Sequence, residues 1–160
     1  MKFRPLKADE IEVRIQSVKP NGVILLLYKD ARCDMNILDE TVGAMNWQRK
    51  HLRDNQNCIV SIWDTDKKMW VEKEDTGTES NTEKEKGLAS DSFKRACFNW
   101  GIGRELYTAP FIWVGAEWAN IKDGKCYEKF EVEKIETIDG KITKIAIINS
   151  KTKTRVFVQK

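Results

Sequence analysis

Lys94 and Arg95 are adjacent, with Phe98 close behind, inside a segment from Glu83 to Trp100 whose apolar residues recur at helical spacing. Successive helical residues rotate by about 100°. Ala89, Phe93, Ala96, Cys97 and Trp100 then share one face, and Asp91, Lys94, Arg95 and Phe98 lie on the other. Two cations and an aromatic ring on an outward face suit single-stranded nucleic acid. The cations neutralise phosphates, and an exposed ring stacks on a base for about 1–3 kcal/mol. The same residues also fit an ordinary solvated face, with Phe98 packed against a neighbouring segment or subunit. Lys86 near the start of the segment, Arg104 just past its end and Arg32 ahead of the first amphipathic segment complete the candidate cations.

Other chemistries find less support. Asp54 followed by Asp66-Lys67-Lys68 loosely resembles the acid…acid-x-Lys arrangement with which nucleases hold Mg²⁺. Both aspartates fall in or beside expected hairpin turns, however, and not on adjoining core strands. The sequence contains no Gly-x-x-x-x-Gly-Lys-[Ser/Thr] loop for a nucleotide, and Gly101-Ile102-Gly103 reads as a helix stop. A single histidine, His51, and no Gly-x-Ser-x-Gly leave nucleophilic hydrolysis without a base or an elbow. Cys33, Cys58, Cys97 and Cys126 are scattered with no Cys-x-x-Cys pair, so a zinc site is not expected. Most of the six tryptophans are expected in the core, Trp47 and Trp100 above all.

The elements that must position these residues follow from the pattern. A chain of 160 residues with 41% hydrophobic content buries one sizeable core, so residues 1–160 are expected to form one domain. Acids and bases nearly cancel to +3, which means that a nucleic-acid site has to be a local patch. Nothing at the start reads as a signal segment. The longest apolar run, Val23 to Tyr28, is far below the ~20 residues that span a bilayer. A soluble cytoplasmic protein with reduced thiols is expected.

Ile11 to Val18 and Val23 to Tyr28 read as a hairpin around Lys19-Pro20-Asn21-Gly22. Ile37, Leu38, Thr41, Val42 and Met45 give a short amphipathic helix from Asp34, with Gly43 near its end. Three strands around Trp47–Leu52, Cys58–Trp63 and Lys68–Lys73 form a meander, and Glu74 to Asn81 reads as a solvated loop. Thr82 and Glu85 make a capping-box pattern ahead of the long helix. Strand alternation returns in Phe130–Ile138, Ile142–Ile148 and Arg155–Val158, with an Asp139-Gly140 turn. The expected class is α+β: an antiparallel sheet of hairpin, helix and three-stranded meander, packed by a long helix and followed by a β-rich extension.

Asp30-Ala31-Arg32, Leu38-Asp39-Glu40-Thr41-Val42-Gly43 and Asn46-Trp47-Gln48 resemble the opening helix of the Rad-fifty-two/Sak superfamily of single-strand annealing proteins. Asp75-x-Gly77, Glu83-Lys84, Ala89-Ser90-Asp91-Ser92-Phe93-Lys94-Arg95-Ala96 and Trp100-Gly101-Ile102-Gly103 look like its second signature. The phage and prophage branch commonly reads Ser-Asp-x-Phe-Lys-Arg-Ala and then Trp-Gly-Ile-Gly-Arg. The resemblance covers residues 11–107 as a family core and leaves 108–160 as the β-rich extension. It implies ATP-independent annealing of single-stranded DNA in homologous recombination, performed without catalysis or cofactor by a homo-oligomeric ring or filament in the host bacterial cytoplasm. Arg32, Lys94 and Arg95 would grip the DNA backbone. Eukaryotic members carry an Arg where this chain has Phe98. A single-strand-binding protein or a phage exonuclease is the kind of partner the resemblance brings, with no membrane. Two other readings stay open: a structured-RNA-binding module and a Mg²⁺-dependent nuclease.

Overall fold

The protein is described by a computed structural model covering residues 1–78 and 84–159, with backbone alone for residues 84–86. In chain order the elements are β1 (Ile11–Lys19), β2 (Gly22–Lys29), α1 (Ala31–Val42), β3 (Trp47–Leu52), β4 (Asn57–Asp64), β5 (Met69–Thr76), α2 (Lys84–Asn99), β6 (Ile112–Gly115), α3 (Ala116–Ala119), β7 (Phe130–Ile138), β8 (Lys141–Asn149) and β9 (Arg155–Gln159). The chain is α+β with two antiparallel sheets, and it divides into two compact units.

The first unit comprises residues 1–4 and 29–104. Its sheet is the meander β3-β4-β5, in register from Trp47↔Ile62 to Leu52↔Asn57 and from Asn57↔Thr76 to Asp64↔Met69. Because strand side chains alternate, Cys58, Val60 and Ile62 share one face of the central strand, and all three are buried. α2 packs on β4, β5 and α1. The apolar stripe read from the sequence supplies that contact, with Phe93, Ala96 and Cys97 fully buried. The tryptophans do not fill the core as expected: Trp47, Trp63, Trp70, Trp100 and Trp113 are half-buried and Trp118 is exposed, with the Trp100 indole Nε1 donating to the Val60 carbonyl at 2.9 Å. Trp47 lies 6.0 Å from the Phe93 ring. The helix stops at Gly101 (φ 94°), a left-handed position that glycine occupies without a Cβ penalty. At Gly77 the reason for glycine is space, since a Cβ there would come within 2.7 Å of the Ser92 amide nitrogen.

The second unit comprises residues 5–28 and 105–160. Its six strands run in the order β6-β2-β1-β7-β8-β9, and β6 and β9, the two ends of the sheet, approach each other. Val23, Leu25, Ile112, Val114, Ile145 and Ile147 are buried here. The β7–β8 hairpin turns at Asp139-Gly140, both with positive φ (52° and 76°), the geometry of a two-residue primed turn.

Further details differ from the reading of the sequence. α1 begins at Ala31, because the Asp30 side chain accepts from the Cys33 amide at 2.8 Å and caps the helix. Arg32 is therefore inside the helix, on its first turn, and not ahead of it. β5 continues through Glu74 to Thr76, where a loop was expected, because pairing with Asn57 to Ile59 satisfies its backbone. The first hairpin joins the C-terminal strands in one sheet, so the grouping differs from a 11–107 core followed by a 108–160 extension. The Thr82/Glu85 capping pattern, Glu83 and the loop residues 79–81 lie outside the described residues. Among the described residues no helix is long and apolar enough to cross a membrane. Among the described residues no disulfide joins the four cysteines.

Candidate nucleic-acid interface

The outward face of α2 carries its side chains in three different states. Arg95 remains 41% exposed and is held by Asp91, its Nε donating to Asp91 Oδ2 at 3.1 Å across one helical turn. The same carboxylate oxygen accepts from the Thr78 amide at 2.7 Å and tethers the segment after β5 to the helix. Lys94 is half-buried. Phe98, also half-buried, presents its ring to an ammonium: Lys29 Nζ sits 3.9 Å from the ring centroid.

Lys29 is the least expected feature of this region. It is 1% exposed, yet its ammonium is fully engaged. It donates to Asp34 Oδ1 at 2.6 Å and to the Ile102 carbonyl at 2.9 Å, with the Lys94 carbonyl at 3.5 Å. Asp34 is itself fully buried, and its second oxygen, Oδ2, has no hydrogen-bond partner among the described residues. Burial pushes the Asp34 carboxyl up to about 6, against the opposing pull of Lys29 and, more weakly, Lys94. Burial likewise pushes the Cys97 thiol well above its ordinary range, with Asp34 adding to the rise. Neither of these is a surface nucleophile.

The strands flanking α2 contribute two further cations. Arg49 on β3 lies 4.6 Å from the Phe93 ring centroid, and Lys73 on β5 lies 5.0 Å from that of Trp100. Both are exposed, and their register partner is Val60 on either side. They share the sheet face on which α2 packs, and their charged groups lie over the rings of residues on or just after that helix.

His51 faces Ser92 at 3.4 Å, and its ring is held below the usual histidine range, first by burial and then by Arg49. The Ser92 hydroxyl is committed to the Asn55 carbonyl at 2.9 Å and is not an activated nucleophile. Asp54 and Asp66 both lie in turns, Asp54 with φ 52°.

The structure thus brings Lys94, Phe98 and Arg104 to the C-terminal half of α2, where the Arg104 guanidinium donates to the Phe98 and Asn99 carbonyls at 2.8–3.0 Å and caps the helix. Arg95 is paired with Asp91, and Arg32 stands exposed on α1, two residues before Asp34. The side chain of Lys86 lies outside the described residues. The reading of the sequence missed Lys29, Asp34, Arg49 and Lys73. A signal existed for one of them, since Asp34 falls three and four positions before Ile37 and Leu38, on the buried stripe of α1. A carboxylate on such a stripe needs a buried partner. Compared with known proteins, the chain matches no family model, no curated protein and no solved structure.

Proposed function

We propose that this protein binds single-stranded DNA and anneals complementary strands without ATP or metal, as a homo-oligomer that lays its subunits along the strand. It would act in recombination in the cytoplasm of a phage-infected or prophage-carrying bacterium. The observation that carries this reading is the division of α2. Phe93, Ala96 and Cys97 are fully buried, whereas Lys94 and Arg95, between them in the sequence, stay partly exposed. The Ser90 to Arg104 signature, similar to that of the phage annealing proteins, supports it. Arg32, Arg49 and Lys73 add cations on neighbouring elements of the same unit. A few phosphate contacts per subunit bind weakly, and repetition along a strand multiplies that affinity.

Replacing Lys94 and Arg95 with Ala tests the reading through the salt dependence of oligonucleotide binding. Each lost phosphate contact lowers the slope of log K against log salt by about 0.7 on single strands, equally for every base sequence. Annealing of complementary oligonucleotides should persist in chelator. Parental binding and slope in the double variant would overturn the assignment of α2. Cleavage of the strands in Mg²⁺ would favour a nuclease, and preference for duplex RNA in competition would favour an RNA-binding module.

A further inference from the structure

We infer that Lys29 is a positioning residue for the DNA-gripping cations, a buried clamp that fixes α1 against the C-terminal half of α2 and so sets the spacing between Arg32 and the Lys94–Arg95 pair. This rests on the proposed function above. One ammonium reaches four places in the first unit: the first turn of α1 at Asp34, the backbone of α2 at Lys94, the ring of Phe98, and the turn after α2 at Ile102. Three of those contacts lie on the two helices that bear a proposed phosphate ligand, Asp34 on α1 and Lys94 and Phe98 on α2. Lys94 is touched through its own carbonyl, and Arg32 is two residues before Asp34 on the same helical turn.

An apolar residue at each position would hold two helices together as well as this pair does, because desolvating two charges offsets most of their attraction. What an ion pair adds over an apolar contact is direction. Hydrogen bonds to a carboxylate and a carbonyl admit one arrangement of the two helices, whereas packed aliphatic groups tolerate sliding. Phosphates along a strand are regularly spaced, and a grip made from two helices engages consecutive ones only if the helices keep a fixed offset. Phe98 takes a defined role here. Its ring closes the fourth side of the ammonium, so at least that face of the ring is occupied and not free for a base.

The test uses the full-length chain and oligonucleotide titrations at several salt concentrations, far below the melting temperature. Asp34→Asn keeps the shape of the side chain, and the Lys29→Met/Asp34→Leu pair replaces the clamp with apolar volume. Arg32, Lys94 and Arg95 are untouched in both. The expected result is assembly like the parent and a melting temperature for the double variant within a few degrees of it, with the salt slope reduced by about 0.7 or more and affinity at low salt down several-fold. A purely structural role would move the melting temperature and leave the slope alone. The inference is overturned if the Lys94/Arg95 double-Ala variant loses slope while both clamp variants keep the parental value. If neither set moves the slope, the proposed α2 interface falls and the clamp falls with it. Should one of the two clamp variants not fold, the other decides by the same slope.

Discussion

The two units of the chain handle charge in opposite ways. In the unit built on α2, an ammonium and a carboxylate are both buried within hydrogen-bonding distance of each other. In the six-stranded unit the ion pairs are wet: Arg14–Glu12, Lys153–Glu131, Arg155–Glu133 and Lys144–Glu136 each leave both partners 31–66% exposed. Exposed pairs of that kind contribute about 0–1 kcal/mol. They ornament a sheet whose stability comes from Val23, Leu25, Ile112, Ile145 and Ile147. The buried pair is different in kind. It adds little net stability as a pair, but removing one member leaves a charge in an apolar site. The buried Lys29–Asp34 pair therefore specifies geometry, whereas the exposed pairs of the second unit keep a surface hydrated.

The largest effect that would break this comparison is Lys29→Met alone. It strands Asp34 without its cation and should cost about 3–5 kcal/mol in chemical denaturation, and restoring neutrality with Asp34→Leu should recover most of it. A loss under 1 kcal/mol for the single variant would mean that the pair is no more important than the surface ones.

Next in size is the pH dependence of stability. The Asp34 carboxyl titrates at about 6 in the fold against 3.8 unfolded, so the folded state binds the proton more tightly. Its contribution to stability is fully present below 3.8 and is lost as pH rises through about 6, on the order of 3 kcal/mol over that window. Glu128 and Glu131 in the second unit are shifted down, by hydrogen bonds from Asn149 and Asn120 and from Lys153 respectively, and act in the opposite sense as pH falls. Urea midpoints of the parent and of Asp34→Asn between pH 4 and 7 separate the two. The parent-minus-variant difference should decline with rising pH, and a flat difference would contradict the burial argument.

The smallest effect is expected at Arg155–Glu133. A double-mutant cycle with Ala at both positions should return a coupling below about 1 kcal/mol, shrinking further in salt. A larger coupling would erase the contrast between the units.

Much of this molecule was legible in the sequence because the information is local. The Phe130–Ile138 and Arg155–Val158 strands and the Asp139-Gly140 turn fall within a residue or two of the structure, since alternation and positive-φ turn residues act over two to four positions. The two faces of α2 were equally readable, because helical rotation assigns Phe93 and Ala96 to one side and Lys94 and Arg95 to the other. The start of α1 was also present in the Asp30 cap but was placed late. Tertiary structure decided the rest. Lys29 is five residues from Asp34, yet its other partners, Lys94 and Ile102, lie 65 and 73 residues away. Likewise β1 finds β7 through Glu12↔Glu131, across more than a hundred residues. Periodicity tells which face of an element avoids water, but not which distant segment will cover it. That choice is made only when packing removes the last water from both surfaces, and with it the fate of a buried charge.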